Sequence, residues 1–103
     1  LISEVCPADQ LEARARALAM EIAENTAPVA TALTRGMLWS FANDSGPEGA
    51  LAVDAMYNIM LGKTSDVHEG VAAFLEKRKP AFPTAVSDGM PDTPWWKGYG
   101  GRG

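Results

Sequence analysis

The chain has 103 residues, 47% of them hydrophobic and 21% charged, which points to one small globular domain and argues against disorder. A net charge of −4 at pH 7 argues against nucleic acid as a partner, since such proteins present a basic surface. No apolar run has the length of a membrane span, and the single cysteine, Cys6, has no internal disulfide partner, which suits a reducing, cytoplasmic compartment.

Residues 1–5, LISEV, read as a short β-like fragment, and no second strand pattern follows. The expectation is a strand stub whose ladder partners lie elsewhere. The same residues are too short and too charged for a signal peptide. Residues 7–25, PADQLEARARALAMEIAEN, predict the clearest helix. Pro7 suits its first position, and Asp9 complements the dipole in the first turn. Leu11, Ala15, Leu18 and Ile22 recur at helical spacing as an apolar stripe, and Glu12 precedes Arg16 by four residues, an ion-pair spacing.

Pro28 opens a second predicted helix that runs to about residue 43. Val29, Leu33, Met37, Leu38 and Phe41 are expected to face inward, with Trp39 off that stripe. Gly36 inside it costs roughly 1 kcal/mol relative to alanine. The NDSGP sequence at 43–47 is a turn by composition. A third helix is expected over 47–61, with Leu51, Ala55, Met56, Ile59 and Met60 as its inner face and Gly62 as its cap.

Residues 65–82, SDVHEGVAAFLEKRKPAF, carry the most marked helix signals. Ser65 or Asp66 can accept from the free N–H groups of the first turn, and Glu69 follows Asp66 by three. Lys77, Arg78 and Lys79 suit the negative end of the dipole, and Pro80 blocks continuation. Val67, Val71, Phe74 and Leu75 form one apolar face. Residues 83–103 hold three of the seven prolines, five of the ten glycines and two of the three tryptophans, which predicts an irregular tail anchored by Trp95, Trp96 and Tyr99. Four short helices cover one another poorly, so a larger parent domain or an oligomer is expected.

No catalytic or metal constellation is visible. His68 is the only histidine and lacks a neighbouring ligand, which leaves no zinc pattern. Cys6 has no placed base. Asp54, Glu21 and Glu24 read as surface charges or local ion pairs. No glycine-rich phosphate loop or nucleophile elbow is present. The methionines Met37, Met56 and Met60 read as core filler.

Residues 65–82 resemble the C-terminal helix of the crotonase (enoyl-CoA hydratase/isomerase) superfamily. Asp66, Glu69, Gly70, Ala73, Phe74, Glu76, Lys77, Arg78, Pro80 and Phe82 carry the likeness. It continues in order through residues 1–7, which resemble a last core strand running into a Pro-led helix, and through Ala27-Pro28-Val29-Ala30. It extends to 49–54, where Asp54 stands at an often acidic position, and to 86–91 with Pro94-Trp95-Trp96.

The resemblance implies an all-α, C-terminal trimerisation and lid segment of a crotonase-like fold. Residues 1–6 would end the missing core, 7–82 would form the helical domain and 83–103 the tail. It implies no catalytic residue in this chain, because the oxyanion hole and acidic groups of the family lie in the core. The 103 residues alone are therefore expected to be inactive, while the parent would hydrate or isomerise an enoyl-CoA in fatty acid metabolism. Acyl-CoA is then the parent's substrate and needs the core to bind. The implied partners are that core or further copies in a trimer or hexamer. By position Phe74 and Lys77 match CoA-binding residues, an aromatic ring for adenine and an ammonium for phosphate. Phe74 also reads as plain core and Lys77 as a dipole-complementing surface charge. The competing reading is a stand-alone, non-catalytic helical interaction module.

Overall fold

The computed structural model describes residues 1–93, and within them all regular structure is helical. A 3-10 turn, Ala8–Gln10, leads into α1 (Leu11–Asn25). There follow α2 (Pro28–Ser40), α3 (Glu48–Leu61), α4 (Ser65–Glu76) and a single turn, α5 (Val86–Gly89). The α-class reading therefore holds. Trp95, Trp96 and Tyr99 lie outside the described residues. Among the described residues no helix is long and apolar enough to cross a membrane.

Three expectations need correction. Residues 1–5 are not a strand here: a strand exists only as part of a ladder, and the described residues supply no partner. Residues 83–93 are not wholly irregular, because 86–89 close one helical turn with Asp88 and Gly89 donating to the Ala85 carbonyl. The first helix opens four residues late as an α-helix, with Gln10 N–H donating to the Pro7 carbonyl to make the 3-10 turn.

The core is small. Val29 and Leu33 of α2 and Tyr57 of α3 are buried together, and Met37, Val53, Leu61 and Met90 pack around them. On α2 the stripe is Val29, Leu33, Met37, as its spacing dictates, whereas Leu38 is exposed. On α3 the buried stripe is Val53, Tyr57, Leu61. The expected face, Leu51, Ala55, Met56, Ile59 and Met60, is turned to solvent. This helix is apolar nearly all round, so periodicity alone does not choose a side. The Tyr57 hydroxyl donates to the Asp92 carbonyl at 3.3 Å, which draws the residues after α5 over the core. Burial first, and then the charge of Asp92, pushes this phenol above its ordinary pKa.

All fifteen residues of α1 are exposed, its stripe of Leu11, Leu18 and Ile22 included. Among the described residues charged contacts tie it to the rest, Arg14 to Glu4 and Glu24 to Lys79 beyond α4. The Glu12–Arg16 pair forms at 3.3 Å on the surface.

Helix α4 also departs from expectation. Its apolar residues Val67, Val71, Phe74 and Leu75 are all exposed, while Asp66 and Ala73 are buried. The inward face is the small and acidic one, Asp66, Gly70 and Ala73. The chain folds back over that face: Phe82 lies against Gly70, where an added Cβ would sit 3.6 Å from the ring. The Thr84 N–H reaches the Asp66 carboxylate. Asp66 thus serves a distant amide and does not cap its own helix. Thr64 holds the N-cap position without a side-chain capping bond.

Candidate functional site

Attention falls on the C-terminal end of α4, where the cationic run begins. The helix stops at Glu76, one turn before Pro80, in a left-handed turn. Lys77 has φ 55° and ψ 40°. Arg78 N–H donates to Ala73 O at 3.0 Å and Lys77 N–H to Phe74 O at 3.3 Å. That double closure is the Schellman motif, whose left-handed position usually belongs to glycine. A lysine there carries a Cβ penalty of about 1–2 kcal/mol.

The turn is held from outside. Arg78 grips the Glu69 carboxylate with both Nη atoms, at 2.6 and 2.9 Å, and sends Nε to Glu76. Glu69 Oε1 accepts the Ala81 N–H as well, at 2.6 Å. The Arg78 fork, and after it the Ala81 amide, holds the Glu69 carboxyl down at about 2. The Arg78 guanidinium is pushed up in return by Glu69 and then Glu76.

The three consecutive cations are therefore not equivalent. Arg78 is taken by Glu69 and Glu76, and Lys79 by Glu24 at 2.5 Å. The Lys77 ammonium takes no partner among the described residues. Phe74 is 83% exposed, so within this chain it is not a core residue. Both candidate CoA contacts stand in solvent at one end of α4. Lys77 is not itself helical, so the left-handed turn and not the helix sets where it stands relative to Phe74.

Open clefts lie elsewhere among the described residues. One of about 370 Å³ is lined by Ala30, Asn58, Leu61, Asp66, Val67 and Phe82. Another of about 320 Å³ sits between α2 and α3, beside Met37, Leu38, Phe41 and Asp54. Phe74 and Lys77 line neither. Asp54 accepts from the Asn58 amide at 3.0 Å, a local pair. Among the described residues no three of His, Cys, Asp and Glu gather as a metal site would require. Cys6 is a free, half-buried thiol. What sequence reasoning missed is the use of Asp66 and Glu69. Their spacing of three was read as helix capping, yet it also sets both carboxylates on one face, where each receives an amide of the returning chain.

The class these features define is a helical segment with a minimal core and a held cationic turn. Residues 1–85 match the family described as Enoyl-CoA hydratase/isomerase, and the chain belongs to that family. It is similar to a Thermus thermophilus protein named as a candidate enoyl-CoA hydratase, with 35% identity over 82 residues, 80% of this chain and 32% of the relative. It is also 38% identical over 82 residues to the Mycobacterium bovis "Probable enoyl-CoA hydratase echA8", covering 80% of this chain and 31% of that one. The "Enoyl-CoA hydratase AKT3-2" of Alternaria alternata is 38% identical over 75 residues, 73% of this chain and 25% of the relative. The chain thus spans between a quarter and a third of the length of these curated relatives.

Proposed function

We propose that this chain is the C-terminal helical region of a longer crotonase-type protein that hydrates or isomerises an enoyl-CoA in a reducing, cytoplasmic compartment. Its role is to pack subunits and to close one wall of the acyl-CoA site, while the reaction is carried out by groups outside these residues. Phe74 lies against the adenine and Lys77 meets the 3′-phosphate.

One observation carries the site assignment: of three adjacent cations, Lys77 alone has no partner among the described residues, and it follows the exposed Phe74 by three residues at the end of α4. An ammonium and an exposed aromatic ring at the same helix end suit a nucleotide bearing a phosphate. The packing role is supported by the exposed apolar residues on all four long helices, set against a buried core of Val29, Leu33, Tyr57 and Ala73. The same imbalance counts against a self-sufficient interaction module.

The test compares CoA with 3′-dephospho-CoA in the whole protein. Wild type should prefer CoA, and Lys77→Ala should erase much of that preference while leaving dephospho-CoA affinity near normal. Equal losses for both ligands would remove Lys77 from the site.

A further inference from the structure

The turn that carries Lys77 is expensive for a lysine and is held in place by residues that are not themselves free to meet a ligand. Backbone strain of this kind persists only where neighbouring contacts over-determine it. Here those contacts converge on one carboxylate. Glu69 receives the Arg78 fork at 2.6 and 2.9 Å and the Ala81 amide at 2.6 Å. Arg78 directly follows Lys77, and Ala81 lies just past Pro80. Glu69 therefore fixes the chain on the far side of the left-handed residue, while the Schellman bonds to Ala73 and Phe74 fix the near side. The Glu69 side chain is only 18% exposed, most of its surface being covered.

We infer that Glu69 is the positioning residue of this site: through Arg78 and the Ala81 amide it holds the left-handed turn at Lys77 and so sets the direction in which the Lys77 ammonium leaves the end of α4. The inference rests on the reading of Lys77 as the contact to the 3′-phosphate of CoA. Without the clamp the turn relaxes and the ammonium samples many directions. The nucleotide still docks, but its 3′-phosphate is no longer met.

Plain electrostatics and positioning predict opposite signs here. Glu69→Gln removes one negative charge beside the turn, which by Coulomb interaction alone would tighten a phosphate ligand. It also keeps an oxygen able to accept from Ala81, while the charge-assisted fork to Arg78 is lost.

The experiment measures dissociation constants of CoA and 3′-dephospho-CoA for the whole protein as wild type, Lys77→Ala, Glu69→Gln and Arg78→Lys. The readout is the ratio of the two constants, which a general loss of structure leaves unchanged. Glu69→Gln is expected to lower the preference for CoA by roughly threefold to fivefold, the range of a surface charge contact, towards the value for Lys77→Ala. Arg78→Lys keeps the charge but cannot fork, and it should lower the ratio similarly. It stands as the deciding variant if Glu69→Gln does not fold. A wild-type or raised ratio in these variants, with Lys77→Ala having lost it, overturns the positioning role alone. A wild-type ratio in Lys77→Ala overturns the CoA reading itself.

Discussion

Asp66 Oδ1 stands 3.1 Å from the backbone nitrogen of Thr84, eighteen residues further along the chain. Asp66 is only 6% exposed, so this bond sits where water does not readily replace it. It fixes the returning segment at Thr84, as Glu69, three residues further along α4, fixes it at Ala81. Asp66→Ala leaves the Thr84 amide unpaired and should destabilise the fold by about 1–3 kcal/mol. Asp66→Asn, which keeps an acceptor oxygen, should cost less. Denaturant unfolding of the two variants checks the order.

The Glu69 carboxyl is held at about 2 against an ordinary 4.5, chiefly by Arg78 and next by the Ala81 amide. A folded-state value below the unfolded one stabilises the protein at pH above 4.5, and that contribution is lost as pH falls from there towards 2. Arg78→Ala should move the Glu69 titration midpoint up, though not fully to 4.5, because the Ala81 amide still donates. A carbon-detected NMR titration of the Glu69 carboxylate reads this directly. A midpoint near 4.5 in the unaltered protein would mean that the fork does not persist in solution.

Lys77 occupies a backbone conformation that glycine adopts without penalty. Lys77→Gly should leave stability unchanged or raise it by up to about 1 kcal/mol, the relief of the Cβ strain offset by a more flexible unfolded chain. CoA affinity should fall in the same variant. A residue that weakens the fold yet is needed for binding would show both shifts. Loss of stability together with loss of binding would instead make Lys77 a structural residue.

These cases mark what the sequence can and cannot convey. Local features were legible: Pro28 opens α2, Val29, Leu33 and Met37 face inward, and Glu12 meets Arg16, each within a turn or two of helix. The inner face of α3 was not, because apolar residues surround it and only the packing against α2 selects Val53, Tyr57 and Leu61. For α4 the strongest apolar stripe pointed the wrong way within this chain, since the returning segment covers the side with Gly70 and Ala73. The left-handed turn carried no glycine to announce it. Phe74 and Lys77 entered through a family resemblance, and the clamp around them depends on Arg78 reaching back nine residues, which no local pattern encodes.

Gly89 packs where a side chain does not fit. A Cβ there would stand 2.1 Å from Thr84 Cγ2 and 3.2 Å from Val29 Cγ2. Gly89→Ala should therefore loosen α5 from α2 and cost about 1–3 kcal/mol. Thr84→Ser removes the nearer methyl and should recover part of that loss in the double variant. A double-mutant cycle in thermal unfolding measures the coupling. Additive effects would mean that the 84–89 segment shifts as a whole to make room.

Helix α1 gains only part of its burial among the described residues, since Leu11, Leu18 and Ile22 are 63%, 54% and 49% exposed. A fully covered Leu or Ile is worth roughly 1.5–3 kcal/mol, so Leu18 and Ile22, each about half exposed, together supply about 1.5–3 kcal/mol to whatever surface closes over them. Leu18→Lys with Ile22→Lys should thus leave the Val29–Leu33–Tyr57 core undisturbed while lowering the stability or subunit association of the whole protein by about 1.5–3 kcal/mol. In the isolated chain the same pair should reduce concentration-dependent self-association, because the exposed stripe is then broken by charge. Sedimentation velocity over a range of concentrations distinguishes the outcomes. A chain that stays monomeric and unfolds cooperatively with its apolar stripe intact would count against a packing role for α1.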